Sequence, residues 1–208
     1  MHEESKKLYS DLLKEFGDSP QAVNWKNREA QEIRFQQLAK IITGQAPFSL
    51  NDLGCGLGDF VGCLDALGMD FTYYGYDIVP GMIESARRKF GSREGQVVFE
   101  VIDEPRSMKL ADYTIASGIF NRRFDYSEEN WLSYILKTLQ QMHESSELGF
   151  AFNLLTKYSD TKLMKSDLYY ADPCFLFDYC KVNFSRNVAL LHDYNLYDFT
   201  ILVRKSKA

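Results

Sequence analysis

From residue 48 onward the chain alternates short β-branched or aromatic runs with helical patterns, and this alternation restricts its fold more than any other feature. FSLNDL precedes DFVGCLDAL, FTYYGYD precedes PGMIESARRKF, VVFEVID follows, and DYTIASG precedes SEENWLSYILKTLQQMH. Apolar residues three and four apart give each helical segment one buried face. Strands separated by helices are joined by crossovers, so the pattern predicts an α/β protein with a mainly parallel sheet covered on both faces. The last third differs. LGFAFNLL reads as a strand, PCFLFDYCKVNF as a helix, and NVALLHDYNLYDFTILVRK as two strands about a tight YNLY turn, so one strand runs antiparallel to the rest. Upstream, LYSDLLKEF and REAQEIRFQQLAKII carry helical spacing on either side of a GDSP turn. Residues 1–45 are therefore expected to form a helical extension and residues 46–208 the core of a single domain, since 208 residues with 45% hydrophobic content suit one core.

Composition removes several function classes. A net charge of −5 leaves no broad cationic surface for a phosphate backbone, so neither nucleic acid nor an anionic membrane is the expected partner. The four cysteines form no C-x-x-C pair and lie far from any clustered histidines, which suggests buried thiols in a reducing compartment, with no metal and no disulfide framework. MHEESKKLYSDLLKEF is too charged for a signal peptide, and no window approaches the ~20 apolar residues of a membrane span. A cytoplasmic, soluble protein is expected.

The stretch NDLGCGLGDF, residues 51–60, follows the first sheet strand and opens a helix near Asp59. Glycines at 54, 56 and 58 leave the main chain bare, so a ligand can approach the helix N–H groups closely. A dinucleotide loop has the spacing G-x-G-x-x-G and brings a pyrophosphate to the helix end. Here the third glycine comes one residue early, and the flanking Asp52 and Asp59 would repel a pyrophosphate while attracting an ammonium or sulfonium group. The loop therefore suits a cationic, phosphate-free ligand, although Asp59 reads equally as the helix N-cap. Asp77 ends FTYYGYD about 20 residues downstream, where an acid meets ribose hydroxyls in this architecture. Asp103 ends VVFEVID, placed to accept from the exocyclic amine of an adenine or to stand in solvent.

The set DLGCGLGD, YYGYDIVPGMIESARRKF, VVFEVIDEP and ADYTIASGIFN resembles, in order and spacing, the motifs of class I S-adenosylmethionine-dependent methyltransferases over about residues 48–204, and the closing hairpin HDYNLYDFTILVRK also looks like theirs. The resemblance implies a Rossmann-like three-layer sandwich with a seven-stranded sheet whose last strand is antiparallel. It implies S-adenosylmethionine as cofactor, with the methionine end on Gly54, Gly56 and the Asp52 region, the ribose on Asp77, and the adenine edge on Asp103 and Glu104. Cys55, Gly58 and Ile78 fall within the same two motifs, and Ser117 and Gly118 in the next. More narrowly, the chain looks like the compact bacterial members with a helical N-terminal extension.

In such a fold the acceptor lies beyond the later strand ends, which directs attention to SGIFN, where Asn121 offers an amide that both donates and accepts. DNA methyltransferases acting on adenine N6 or cytosine N4 carry two prolines at this motif, which this chain lacks; a small-molecule acceptor with an oxygen or nitrogen nucleophile is expected instead. Of three histidines, His2 is terminal and His143 suits a helix C-terminus. His192 follows the predicted sixth strand on the ligand side, and reads either as a general base or as a histidine bonded to the hairpin. The segment TKYSDTKLMKSDLYYAD, residues 156–172, reads as a loop over the strand ends, with Tyr158, Tyr169 and Tyr170 as candidate acceptor contacts and Asp172 as a helix cap. Trp25, Gln31, Arg34 and Phe35 of the helical extension are placed as a lid, Arg34 to meet the donor's carboxylate, while core packing accounts equally for Trp25 and Phe35. Two further readings stay open: a nicotinamide-dependent oxidoreductase, disfavoured by the loop spacing, and a module that binds cofactor or partner without turnover.

Overall fold

The computed structural model describes residues 2–23, 28–44, 47–93 and 95–206. Seven strands form one sheet: β1 (Phe48–Leu53), β2 (Phe71–Asp77), β3 (Val97–Val101), β4 (Ala111–Ala116), β5 (Ser146–Leu155), β6 (Asn187–Leu191) and β7 (Asp198–Arg204). Their order across the sheet is β3-β2-β1-β4-β5-β7-β6. The first five are parallel, and β7 runs antiparallel between β5 and β6. From β1 the chain winds outward through β2 and β3, then returns to the other side of β1 to lay down β4. That reversal opens a crevice beyond the carboxyl ends of β1 and β4, where ligands bind in open α/β sheets.

Among the described residues six α-helices accompany the sheet: α1 (His2–Phe16), α2 (Arg28–Ala39), α3 (Phe60–Ala66), α4 (Pro80–Phe90), α5 (Glu128–Glu144) and α6 (Pro173–Asn183). Strand alternation divides the core. Leu50, Tyr73, Ile115 and Leu202 face α2, α3 and α4 through Phe35, Leu38, Phe60, Leu64 and Ile83. Leu53, Ala116, Phe152 and Ile201 face α5 and α6 through Trp131, Ile135, Leu139 and Leu176. A central strand covered on both faces cannot show the apolar–polar alternation of an edge strand, and five of the six β1 residues are buried. Ser127 caps α5 through Asn130 N–H, and Asp172 caps α6 by accepting from Cys174 and Phe175 N–H at 3.0 and 3.4 Å, as its position before PCFLF predicts.

Two expectations need correction. The closing strands are joined by residues 192–197 rather than by a tight turn, with Asn195 at φ 56°. The 156–172 segment is pinned rather than a bare excursion: Leu168 bridges to Arg122 beyond β4, and Thr156 pairs with Ala171 within the segment itself. Among the described residues, no helix is long and apolar enough to cross a membrane.

Candidate active site

After Leu53 the chain leaves β1 through a turn with φ 76°, 52° and 75° at Gly54, Gly56 and Gly58. Side chains rarely adopt this left-handed conformation, so glycine is the residue that fits. At Gly54 space adds to the demand, because a Cβ would lie 2.2 Å from Ile119 Cγ2. The turn is latched to β2. Gly54 and Cys55 N–H both donate to Tyr76 O, at 2.7 and 3.0 Å. Gly56 N–H donates to Asp77 Oδ2 and Val79 N–H to Asp77 Oδ1, each at 2.9 Å. Each Asp77 oxygen retains a further lone pair for a ligand hydroxyl. Burial pushes the Asp77 carboxyl above the ordinary carboxylate range, and those backbone N–H groups offset part of the rise.

Asp52, in the same strand end, is 3% exposed and accepts a 2.6 Å hydrogen bond from Tyr73 Oη. Burial raises its pKa to about 7; the Tyr73 bond opposes that, while Asp77 and Asp59 add to it. The Cys55 thiol is likewise driven up by burial. Asp59 lines the cleft beside the loop. It holds the N-cap position of α3 without a capping hydrogen bond, and instead pairs with Lys89 and accepts from Gln31 Nε2 at 3.3 Å.

A cleft brings together Asp52, Gly54, Cys55, Gly56, Asp77, Ile78, Asp103, Glu104, Ser117, Gly118 and Asn121. Gly58 lies outside this lining: its Cβ would meet the Phe99 ring at 2.7 Å, so it lets the loop pack on β3. Asp103 and Glu104 sit at the rim, where Lys6 of α1 pairs with Asp103 at 2.6 Å and Arg106 with Glu104 at 2.5 Å. At the opposite end, Gly118 N–H donates to Asn153 Oδ1 at 2.7 Å. Asn121 Oδ1 accepts from Leu155 N–H at 3.0 Å and Asn121 O from Tyr169 N–H at 2.9 Å. Asn121 therefore staples the β4 loop to β5 and to the 156–172 segment, leaving its NH2 group as the donor for the cleft.

The remaining described candidates, Arg34, His192, Tyr158, Tyr169 and Tyr170, are not brought to the cleft. Trp25 falls outside the described residues. Arg34 turns away: Nη1 donates to Ala30 O at 2.8 Å and Nη2 pairs with the fully buried Asp198, so it joins α2 to β7 instead of meeting the donor's carboxylate. His192 does follow β6 at the predicted end of the sheet, but β6 is the edge strand. Four strand spacings of about 4.8 Å put it roughly 19 Å across the sheet from β1, exposed beside the Tyr158 and Phe199 rings. Tyr158 is 61% exposed, under Lys157 Nζ; Tyr169 is 9% exposed in the core beneath α5; Tyr170 Oη accepts from Lys165 N–H. Gln31 and Phe35 of the expected lid do line the cleft, and sequence reasoning missed Tyr9, Ile119, Arg122, Phe124, Trp131, Tyr134 and Leu168, which line it too. Arg122 adjoins the SGIFN motif, so extending that motif by one residue would have found it. Among the described residues no cluster of three or more His, Cys, Asp or Glu could hold a metal.

Comparison with known proteins follows the same lines. A family described as "Methyltransferase domain" matches residues 51–117. A Mycobacterium tuberculosis (strain ATCC 25618 / H37Rv) protein named "Putative methyltransferase Rv1506c" is 48% identical over 167 residues, covering 80% of this chain and 99% of its own. Among solved structures, the magnesium protoporphyrin IX methyltransferase of Synechocystis PCC 6803 with bound SAH superposes with a TM-score of 0.63 at 16% identity, over 88% of this chain and 90% of its own. Human N-acetylserotonin methyltransferase in complex with SAM gives 0.62 at 16% identity, over 98% of this chain and 60% of its own. At such identities these two speak for the fold.

Proposed function

The chain belongs to the class I S-adenosylmethionine-dependent methyltransferases, and from that premise we propose that its cleft passes a methyl group to an oxygen or nitrogen of a small molecule. One observation carries the reading of the donor side. Asp52 is buried and Asp77 half-buried at the glycine loop, and no lysine or arginine bonds to either among the described residues. Two such carboxylates without a counter-ion are a poor seat for a pyrophosphate and a good one for a cationic ligand with a free diol. The residues present therefore fit S-adenosylmethionine, whose sulfonium, when bound, supplies an activated methyl group with its leaving group already in place.

The chain's own part is positioning. The Asp77 oxygens, fixed by Gly56 and Val79 N–H, hold the ribose diol. Asp52 and the bare Gly54–Gly56 turn take the methionine end, and Asp103 with Glu104 borders the adenine. Ser5 and Tyr9 of α1 and Gln31 of α2 line the cleft, so these two helices act as its lid. Beyond the Ser117–Gly118 turn, the Asn121 amide orients the acceptor nucleophile against an apolar wall of Ile119, Phe124 and Trp131. An amide cannot take a proton at neutral pH, so the arrangement suits an acceptor that presents a lone pair once oriented.

Calorimetric titration with S-adenosylmethionine and S-adenosylhomocysteine tests the donor side. A dissociation constant in the micromolar range, about −8 kcal/mol, together with transfer of labelled methyl to a member of a panel of small hydroxylated and amino compounds, supports the proposal. Binding without transfer to any such compound would leave a binding module and refute the catalytic reading.

A further inference from the structure

The cleft is charged unevenly. Asp52, Asp59, Asp77, Asp103 and Glu104 lie on the donor side, and among the described lining residues Arg122 is the sole lysine or arginine. It stands one residue beyond Asn121, at the acceptor end. Its Nη1 is committed to Asp167, whose backbone oxygen also accepts from Arg123 and Phe124 N–H at 3.0 and 3.3 Å. Its Nε is buried, and no partner is found for it. In a guanidinium, Nε–H and one Nη2–H point to the same edge, the edge left over once Nη1 is engaged elsewhere, and two parallel donors there match a carboxylate. Phe124, held at φ 54° where bulky residues are rare, and Leu168, bridged to Arg122, line the same end with Trp131 and Tyr134.

From this arrangement we propose that the methyl acceptor is an aromatic or similarly apolar acid whose carboxylate docks side-on against Arg122. The inference rests on the methyl-transfer reading and narrows its substrate class. Asp167 fixes the guanidinium plane, the aromatic wall takes the body of the acid, and the nucleophilic oxygen or nitrogen lies toward Asn121. Separation of charge makes this consistent: Asp52 and Asp77, to which no lysine or arginine bonds among the described residues, would repel an anionic acceptor on the donor side, and Arg122 draws it to the far end.

The probes are benzoate and phenylacetate, each against its primary amide, titrated into the full-length protein saturated with S-adenosylhomocysteine. At least one acid binds about tenfold or more tightly than its amide. In Arg122→Gln that preference falls to about one, while affinity for S-adenosylhomocysteine stays within about twofold and reports that the cleft is intact. Arg122→Lys, which keeps the charge and loses the paired donors, retains an intermediate preference. Absence of binding by either acid, equal binding of acid and amide, or a loss of S-adenosylhomocysteine affinity in Arg122→Gln as large as the loss of acid affinity would overturn the proposal; the last would place the guanidinium on the donor's own carboxylate. Failure of the unaltered protein to bind S-adenosylhomocysteine would instead overturn the donor reading beneath it.

Discussion

Acidification weakens cofactor binding through Asp52. Burial chiefly raises its pKa from 3.8 to about 7. That displacement of about 3 pH units corresponds to roughly 4 kcal/mol against ionising the group in place. A donor ammonium seated on Asp52 needs the ionised form, so binding pulls the pKa back down and expels a proton wherever the empty site still holds one. Each pH unit below 7 then costs about tenfold in affinity; at pH 5 the loss reaches about 100-fold, or about 2.7 kcal/mol. At pH 6 roughly 0.9 proton leaves on binding, which calorimetry in two buffers of different ionisation enthalpy reads directly. Asp77 and Asp59 both push the Asp52 pKa upward, and Asp77 is itself raised by burial, so Asp52→Asn serves as the discriminating control. Its affinity is lower at pH 8 and nearly flat down to pH 5.5. The stability of the empty protein moves the opposite way. A carboxyl raised in the folded state contributes stability that is full below the unfolded value of 3.8 and lost as pH rises through about 7. Acid thus favours the empty fold while weakening the complex. Flat affinity between pH 5.5 and 8 in the unaltered protein, with no buffer-dependent heat, would refute the assignment of the ammonium to Asp52.

Other perturbations follow from particular contacts. Gly54→Ala places a Cβ on Ile119 Cγ2 in a left-handed turn; thermal unfolding should show a loss of about 1–3 kcal/mol, together with weaker S-adenosylhomocysteine binding. Gly56→Arg fills the bare turn and abolishes cofactor binding by calorimetry, with helix content by circular dichroism unchanged. Arg34→Met strands the buried Asp198 carboxylate and costs about 3–5 kcal/mol in denaturant unfolding; an equally stable variant would show that the pair contributes nothing net. His192→Ala, far from the cleft at the sheet edge, leaves methyl-transfer rates within about twofold, and a tenfold drop would restore it as the base.

The parts of this site legible in the sequence are those that depend on position along one strand. Glycines after an apolar run, an acid closing the next strand about 20 residues on, and the turn after β4 all follow from strand–turn–helix grammar, and parallel packing then brings those strand ends together. His192 shows where that reasoning stops. Its end of the sheet was legible; its distance from β1 was not, because lateral strand order depends on how β7 inserts between β5 and β6. The tyrosines of 156–172 fail for a related reason. A single segment supplies Leu168 to the cleft, Tyr169 to the core and Tyr158 to solvent, and without a helical or strand period nothing in its order says which residue turns inward.

Charge pairing was the least legible layer, and it decides the chemistry. In the sequence Asp52, Asp59, Asp77, Asp103 and Asp198 are equivalent acids near strand ends or a helix start. In the fold, Lys89 pairs with Asp59, Lys6 with Asp103, and Arg34 with Asp198. Each of those bonds joins residues at least 30 positions apart, beyond any local pattern. What they leave is Asp52 and Asp77, held by a tyrosine hydroxyl and by backbone N–H groups that orient a carboxylate without cancelling its charge. A cationic ligand is thus selected by which acids went unpaired, while at the other end of the cleft Arg122, paired through Nη1 with Asp167, keeps its second guanidinium edge turned from that partner.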